Sequence, residues 1–354
     1  MLLDGLFIPL TTPFYADGAS YLRKLEHNVA RYSRTPAAGL VALSPWSEAV
    51  GLSDEETRES LRVIGESAAA EKVLLACATE GSVRGAVSLA ERAAEAQFDA
   101  VLLAAPMEWR RMLRGGALAE VELFFRSVAD RSPLPVVLWR ETAELGLAMP
   151  VERVMDLAGH PNVIGMFDAG LTAPVLQEIV AGTQDVRREV TVTPVFAAVT
   201  RRMREAAADG PATFVDAGAL TQAGASTAVV APKPALKTRS KSVGFQVVAA
   251  GPASGMLPLL EAGVSGMMPE LAACAPQGCH EVLAAFRDGN PELAELKAAR
   301  LGAADAAVRE LGVAAVKYGC DLNGYYGGAA RLPRVPLSAE ERVRVDAAFR
   351  EVRN

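Results

Sequence analysis

Two apolar segments in the middle of the chain end in residues that could act on a ligand. One segment ends in Trp139 and Arg140, and the other ends in Phe167 and Asp168. A guanidinium such as that of Arg140 can bind a carboxylate or a phosphate through two hydrogen bonds. A carboxylate such as that of Asp168 can exchange protons with a substrate. The two aromatic side chains could stack against a ligand or fill apolar space, which is the usual role of such residues.

Arg140 also has a structural interpretation. An ion pair with Glu141, Glu108 or Asp168 explains an arginine at this place equally well. Structural ion pairs often imitate functional sites. The charges therefore mark candidate positions, and the surrounding elements decide which interpretation applies.

Eight short apolar segments alternate with amphipathic segments along residues 1–269. The apolar segments are continuous, as expected for strands that are buried on both faces of a parallel sheet. This alternation predicts an α/β protein, a (β/α)8 TIM barrel followed by a C-terminal helical region over residues 270–354. The main alternative is an open doubly wound sheet, which usually has a glycine-rich loop after its first strand. This chain has residues 11–14, Thr-Thr-Pro-Phe, at that place.

Two parts of the chain depart from the repeating unit. Residues 183–244 form an irregular insert, in which we predict a helix over 195–207 and a solvated basic patch over 233–241. Beyond the last strand, the sequence predicts helices over 271–288, 291–311 and 338–352, with a glycine-rich break at 319–328.

The active site of a TIM barrel lies at the C-terminal ends of its strands. The residues that end each strand are therefore the candidate site. We predict Glu48, Arg140 and Asp168 as catalytic residues. The predicted substrate pocket consists of Thr12, Ser44, Pro45, Trp46, Ser47, Glu108, Trp139, Phe167, Gly251 and Met268.

The order and spacing of several motifs resemble the dihydrodipicolinate synthase and N-acetylneuraminate lyase family of class I aldolases. These motifs are Thr12-Pro13-Phe14, Glu48 with Leu52 and Glu55, segments 160–165 and 261–266, and Val316-Lys317 followed by Arg331-Leu332-Pro333. The resemblance covers most of the chain except the insert. It implies the same barrel and a homo-oligomer, either a tetramer or a dimer.

The resemblance also shows where this chain departs from the family. The family uses a lysine at the end of strand six to form a Schiff base with pyruvate, which serves as an electron sink. Phe167 stands at that position, and Trp139 matches the tyrosine that relays protons. Pro45 and Trp46 match the paired hydroxyl residues that hold the pyruvate carboxylate. Glu48 follows the family pattern and could serve only to anchor its loop.

We expect no other lysine to take over the missing role. Helices are predicted to contain three of the seven lysines: Lys24, Lys297 and Lys317. Lys72 precedes a strand. The insert, which opens on the N-terminal face, contains the other three: Lys233, Lys237 and Lys241. We therefore predict that classical pyruvate aldolase activity is absent.

Two functions remain open. The first is a lyase that acts on a carbon–carbon or carbon–oxygen bond of a small oxo- or hydroxy-acid by acid–base chemistry without an imine. The charged residues at the strand ends favour this function and would carry out the acid–base chemistry: Glu48, Glu108, Arg140, Glu141 and Asp168. The second is a non-catalytic small-molecule binder or a partner subunit of an active homologue. The apolar residues and proline at the reactive positions of the family favour that alternative.

Composition argues against several other classes of protein. A net charge of −6 gives no basic field for nucleic acid, and no apolar run reaches the roughly 18 residues of a membrane span. The four cysteines form no CxxC motif and no secretory signal is apparent, so we expect free thiols in a cytoplasmic protein. The three histidines lack metal-ligand spacing. We expect no metal and no cofactor, and a small-molecule carboxylate as the ligand.

Overall fold

A closed barrel of eight parallel strands forms the centre of the molecule. The computed structural model describes residues 1–106, 109, 118–142, 149–208 and 236–353. The strands are β1 (Gly5–Pro9), β2 (Gly39–Ala42), β3 (Val73–Ala78), β4 (Ala100–Ala104), β5 (Val136–Arg140), β6 (Val163–Asp168), β7 (Arg188–Val192), β8 (Arg239–Val243), β9 (Gln246–Gly251) and β10 (Gly266–Pro269). All except β7 and β8 belong to the barrel, whose order is β1-β10-β9-β6-β5-β4-β3-β2. The predicted (β/α)8 barrel is confirmed.

Helices surround the barrel and continue beyond it. They are α1 (Leu22–Ser33), α2 (Asp54–Ser67), α3 (Val83–Glu95), α4 (Leu118–Ala129), α5 (Val151–Ala158), α6 (Ala173–Gly182), α7 (Arg201–Ala208), α8 (Met256–Glu261), α9 (Pro276–Arg287), α10 (Pro291–Leu322) and α11 (Ala339–Ala348). A capping box precedes α2: the Ser53 hydroxyl accepts the Glu56 N–H, and the Glu56 carboxylate accepts the Ser53 N–H. This arrangement satisfies two backbone donors at the helix start.

The two strands at the centre of the sequence lie side by side in the barrel. Trp139 of β5 is the Cα partner of Phe167 of β6, and Arg140 is the partner of Asp168. Gly165 allows β6 to approach β9, because a Cβ atom there would lie 2.5 Å from the backbone oxygen of Gln246. The parallel register therefore brings all four candidate strand-end residues to the same edge of the barrel.

The described part of the insert packs against the N-terminal face of the barrel. Strands β7 and β8 form an antiparallel hairpin. The Arg188 guanidinium donates to the backbone oxygens of Ala158 and His160, which precede β6. The insert helix begins at Arg201, six residues later than predicted. The sequence between these elements contains a turn at Phe196, whose φ of 62° is incompatible with a helix.

The C-terminal helices differ in detail from the prediction. Helix α10 continues to Leu322, so the helix ends later than the break predicted at 319–328 implies. The regular helical backbone is interrupted earlier, at Gly312, where φ is 63° and ψ is −146°. Only glycine adopts such a conformation readily. The region before α9 is a short 3-10 turn, so this helix starts at Pro276 and not at residue 271.

Candidate active site

A cavity of about 270 Å³ opens at the C-terminal end of the barrel. Its wall is mostly apolar, with two carboxylates, one guanidinium, two hydroxyls and one thiol. The described residues that line it are Leu43, Ser44, Pro45, Glu48, Ala49, Val50, Cys77, Thr79, Ala104, Ala105, Trp139, Glu141 and Arg334. A concave, mainly apolar site with a few polar groups is typical of small-molecule binding.

Glu48 lies in the cavity wall, but its charge is compensated from outside the cavity. It follows a short 3-10 turn and has a left-handed backbone, with φ of 58°. Its Oε1 lies 2.6 Å from Nζ of Lys317, and its Oε2 accepts the backbone N–H of Arg331 at 2.9 Å. Both charged side chains of the ion pair are at most 1% exposed. Glu48 therefore connects the β2 loop to the C-terminal helical region.

Lys317 is held firmly in this position. Its ammonium donates to the backbone oxygen of Ala329 at 2.7 Å and lies 4.3 Å from the ring centroid of Phe14. The guanidinium of Arg331 lies 4.2 Å from the same ring. Burial lowers the pKa of Lys317, whereas the Glu48 carboxylate opposes this change. The lysine is therefore used for an internal ion pair, and it is absent from the described lining of the cavity.

Arg140 and Asp168 form a second ion pair at the ends of β5 and β6. Arg140 Nη1 lies 2.6 Å from Asp168 Oδ2, and Arg140 Nε donates to the backbone oxygen of Met149. The other Asp168 oxygen accepts the N–H of Gly170. Burial raises the pKa of Asp168, and Arg140 opposes this effect. Of the two uses considered for Arg140, the structure shows the ion pair, and neither residue is in the described lining of the cavity.

Glu141 is the second carboxylate of the cavity wall. Its Oε2 accepts the indole N–H of Trp139 at 2.9 Å, and its Oε1 accepts the N–H of Thr142 at 3.2 Å. The described residues provide no cation within ion-pair distance of it. Neutral N–H donors therefore fix the direction of this carboxylate at the cavity wall.

Cys77 provides the only sulfur in the described cavity wall. Burial raises the pKa of its thiol to about 12, and the charge of Glu141 acts in the same direction. The thiolate is the nucleophilic form of cysteine. A thiol with this pKa is almost entirely protonated at neutral pH, so Cys77 serves as an apolar part of the wall.

The predicted pocket residues fall into three groups. Ser44, Pro45 and Trp139 line the cavity together with Glu48, whereas Glu108 lies outside the described residues. Phe167 is completely buried and packs edge-on against Phe7, with ring centroids 5.3 Å apart. The remaining predicted residues are absent from the described lining: Thr12, Trp46, Ser47, Gly251 and Met268.

Several lining residues were not in the predicted site. Cys77 is the penultimate residue of β3 and Ala104 is the last residue of β4, so their position on these strands could have identified them. Glu141 directly follows β5 and is one of the strand-end charges. Arg334 comes from the tail after α10, and no local pattern in the sequence predicts that this tail crosses the barrel mouth.

None of the described lysines lines the cavity, although Lys317 contacts the wall residue Glu48 from behind. All of the seven except Lys233 are described, and none of them is a lining residue. Lys72 donates to the backbone oxygens of Thr35 and Ala37 on the N-terminal side of the barrel. Lys297 pairs with Glu281 in the C-terminal region.

The described residues provide neither a candidate metal site nor a helix suited to crossing a membrane. No group of three or more histidine, cysteine, aspartate or glutamate side chains in the described ranges is arranged to hold a metal ion. Within the same ranges, no helix has the length and apolar character required to cross a membrane.

Comparison with known proteins assigns the chain to a family. The model of the dihydrodipicolinate synthetase family matches residues 2–190, more than half of the 354 residues. The chain is 26% identical over 360 residues to the "Probable 4-hydroxy-2-oxoglutarate aldolase, mitochondrial" of Emericella nidulans, covering 99% of this chain and 95% of that protein. It is 31% identical over 187 residues to the "L-threo-3-deoxy-hexylosonate aldolase" of Hypocrea jecorina, covering 50% of this chain and 58% of that protein.

Solved structures support the same fold. The crystal structure of dihydrodipicolinate synthase DapA-2 from Bacillus anthracis superposes with a TM-score of 0.76 over 100% of both chains, at 18% sequence identity. At this identity the likeness concerns the fold alone. Together with the family match over the first six barrel strands, it confirms the resemblance indicated by the motifs. This chain therefore belongs to the dihydrodipicolinate synthetase family.

Proposed function

We propose that this protein is a lyase-type member of the family that works without a Schiff base. It binds a small oxo- or hydroxy-acid in the cavity at the barrel mouth and acts on it by proton transfer. The composition of the cavity wall is the observation that carries this proposal. The described lining contains no lysine, and Phe167, which stands at the position of the family's amine, is buried in the core.

Glu141 is the best candidate for the proton transfer. A general acid or base must come within hydrogen-bonding distance of the proton that it moves. Glu48 is committed to Lys317 at 2.6 Å, and Asp168 is committed to Arg140 at 2.6 Å. Glu141 lines the cavity and is bound by N–H donors from Trp139 and Thr142 alone among the described residues. Its carboxylate is therefore oriented without being neutralised.

A non-catalytic binder, or a partner subunit of an active homologue, is the second candidate. It is favoured by the two buried ion pairs, which occupy all three predicted catalytic residues: Glu48, Arg140 and Asp168. In this alternative the family's barrel is kept as a scaffold, and the cavity binds a ligand without converting it.

A ligand screen followed by a turnover assay tests the first candidate and separates it from the second. We expect at least one oxo- or hydroxy-acid to raise the melting temperature, because a ligand stabilises the state that it binds. For that acid, Glu141→Gln should lower the turnover rate by about 100-fold or more, the usual contribution of general acid–base catalysis. Its dissociation constant should change far less.

Glu91→Gln, a change on the exposed side of α3, is the matched control and should leave turnover unaltered. Turnover that survives Glu141→Gln would contradict the assignment of the proton transfer. Binding without turnover in the parent protein would support the second candidate. A complete absence of binding across the screen would argue against both.

We also propose that the protein is a homo-oligomer, a dimer or a tetramer, and that it is cytoplasmic, which its four free cysteines favour. Family membership supports the oligomer. So do three exposed apolar side chains near the barrel mouth, Val50, Leu332 and Val335, which are 93%, 84% and 78% exposed. Light scattering coupled to size exclusion tests it, and a monomer at micromolar concentration would contradict it.

A further inference from the structure

We infer that the mouth cavity selects a monocarboxylic acid with an apolar body of about aryl size, and that Arg334 binds its carboxylate. This inference rests on the proposed function, since it concerns the same cavity and names the class of ligand. Three features carry it: the apolar wall, a guanidinium at the rim, and a buried hydroxyl without a partner.

The wall is better matched to an apolar ligand than to pyruvate. Leu43, Ala104 and Trp139 provide apolar and aromatic surface, and the volume of about 270 Å³ is at the lower end of small-molecule pockets. Pyruvate would leave most of this surface in contact with water. A ring could pack against the Trp139 indole, and the burial of apolar surface would favour binding.

Arg334 supplies the cationic group of the described wall. Its side chain is 44% exposed, and its Nη1 lies 3.6 Å from Glu48 Oε2. That contact is loose, whereas Lys317 already compensates Glu48 at 2.6 Å. The group formed by Glu48, Lys317 and Arg334 therefore has one positive charge in excess, and it is available to an anion. A guanidinium binds a carboxylate through two parallel hydrogen bonds.

Two other polar groups restrict the ligand further. Ser44 lines the cavity and is completely buried, and its hydroxyl has no hydrogen-bond partner among the described residues. A buried polar group without a partner is costly, and the 2-oxo or 2-hydroxy oxygen of an acid would satisfy it. Glu141, which has no cation nearby in the described part of the chain, would repel a second carboxylate. The wall therefore favours monocarboxylic over dicarboxylic acids.

Isothermal titration with three 2-oxo acids tests the selectivity. Phenylpyruvate should bind at least tenfold more tightly than pyruvate, which lacks the ring, and than 2-oxoglutarate, which has a second carboxylate. Arg334→Gln should weaken phenylpyruvate binding by roughly tenfold or more, the effect of losing a hydrogen bond to a charged group. The same change should leave the binding of phenylacetone, the neutral analogue without the carboxylate, within about twofold of the parent protein.

Arg350→Gln is the matched control, because Arg350 is an exposed arginine of the same C-terminal region. It should not alter phenylpyruvate binding. Equal affinity for phenylpyruvate and pyruvate, or phenylpyruvate binding that is insensitive to Arg334→Gln, would overturn the inference. These outcomes differ from a failure of the proposed function, which would be seen as a covalent imine or as an unaltered turnover rate in Glu141→Gln.

Discussion

Replacing Lys317 by methionine should destabilise the protein by about 3–5 kcal/mol, the usual cost of leaving one member of a buried ion pair uncompensated. Glu48 is 0% exposed in its side chain, and Lys317 is the cation closest to it, at 2.6 Å. Without this lysine, the remaining contacts of Glu48 are the Arg331 N–H at 2.9 Å and Arg334 at 3.6 Å. Urea denaturation monitored by circular dichroism measures the loss.

Two further variants make this prediction specific. Lys297→Met removes a lysine whose ion pair with Glu281 is partly exposed, and such pairs contribute at most about 1 kcal/mol. The double variant Glu48→Gln with Lys317→Met should recover most of the stability, because no buried charge remains without a partner. If Lys317→Met is no more harmful than Lys297→Met, the ion pair does not join the barrel to the C-terminal helices as we describe.

Glu270 should make the protein less stable as the pH rises from 5 to 8. It directly follows β10, and its pKa is raised from 4.5 to about 7. Burial is the main cause, and the Asp305 carboxylate adds to it. The Arg309 guanidinium opposes these effects, and Glu141 contributes a smaller repulsion. In the unfolded chain this carboxyl ionises near 4.5, whereas in the folded protein it stays protonated to about 7.

The sign of the effect follows from this difference. Below pH 4.5 both states are protonated and folding has no penalty from this group. Between about pH 4.5 and 7 the unfolded chain has lost this proton while the folded protein keeps it, so stability falls. Above about pH 7 both states are ionised and the loss stays nearly constant. Because one pKa unit corresponds to about 1.4 kcal/mol, the shift from 4.5 to about 7 sets an upper limit of about 3.5 kcal/mol on the loss at pH 8, and solvent screening of the side chain reduces it.

Glu270→Gln tests this prediction, because glutamine imitates the protonated acid. The variant should be more stable than the parent protein at pH 8 and nearly equal to it at pH 5, as measured by unfolding midpoints in urea. Glu261→Gln, at an exposed position at the end of α8, should show no such difference between the two pH values. An identical effect of Glu270→Gln at both pH values would contradict the assigned pKa.

The barrel could be predicted because each of its strands and helices has its own pattern of apolar residues within a short stretch of sequence. Each strand is a continuous apolar run, and each following helix has its own periodic apolar face, so the eight units can be identified separately. The pairing of Arg140 with Asp168 could be anticipated for the same reason. Both residues end neighbouring parallel strands, and the structure places them in register as Cα partners.

The composition of the cavity wall could be predicted only in part. Ser44, Pro45, Glu48 and Trp139 follow barrel strands, and their place at the mouth follows from the fold. Arg334 reaches the same cavity from a tail almost 300 residues away in the sequence from Ser44, and no local pattern encodes that path. The side-chain direction of Phe167 could not be predicted from its position. It ends a strand, but its side chain turns into the core beside Phe7, a direction that depends on the pleat and shear of the whole barrel.

The helical nature of Lys317 was predicted correctly, but its partner was not. Residue 317 lies within α10, as the sequence indicates. The contact with Glu48 depends on how this helix packs against the β2 loop, which is a property of the tertiary structure. The same helix is interrupted at Gly312, and a single glycine in a long helical pattern does not by itself predict such a break.

The described wall of the mouth cavity contains no lysine, and we propose that the protein forms no imine with pyruvate. Incubating the protein with pyruvate and sodium borohydride and measuring the intact mass tests this proposal, with a Schiff-base aldolase treated in parallel. We predict that the aldolase gains a reduced pyruvate adduct and that the mass of this protein does not change. A stable pyruvate adduct on any of the seven lysines, located by peptide mapping, would contradict the account.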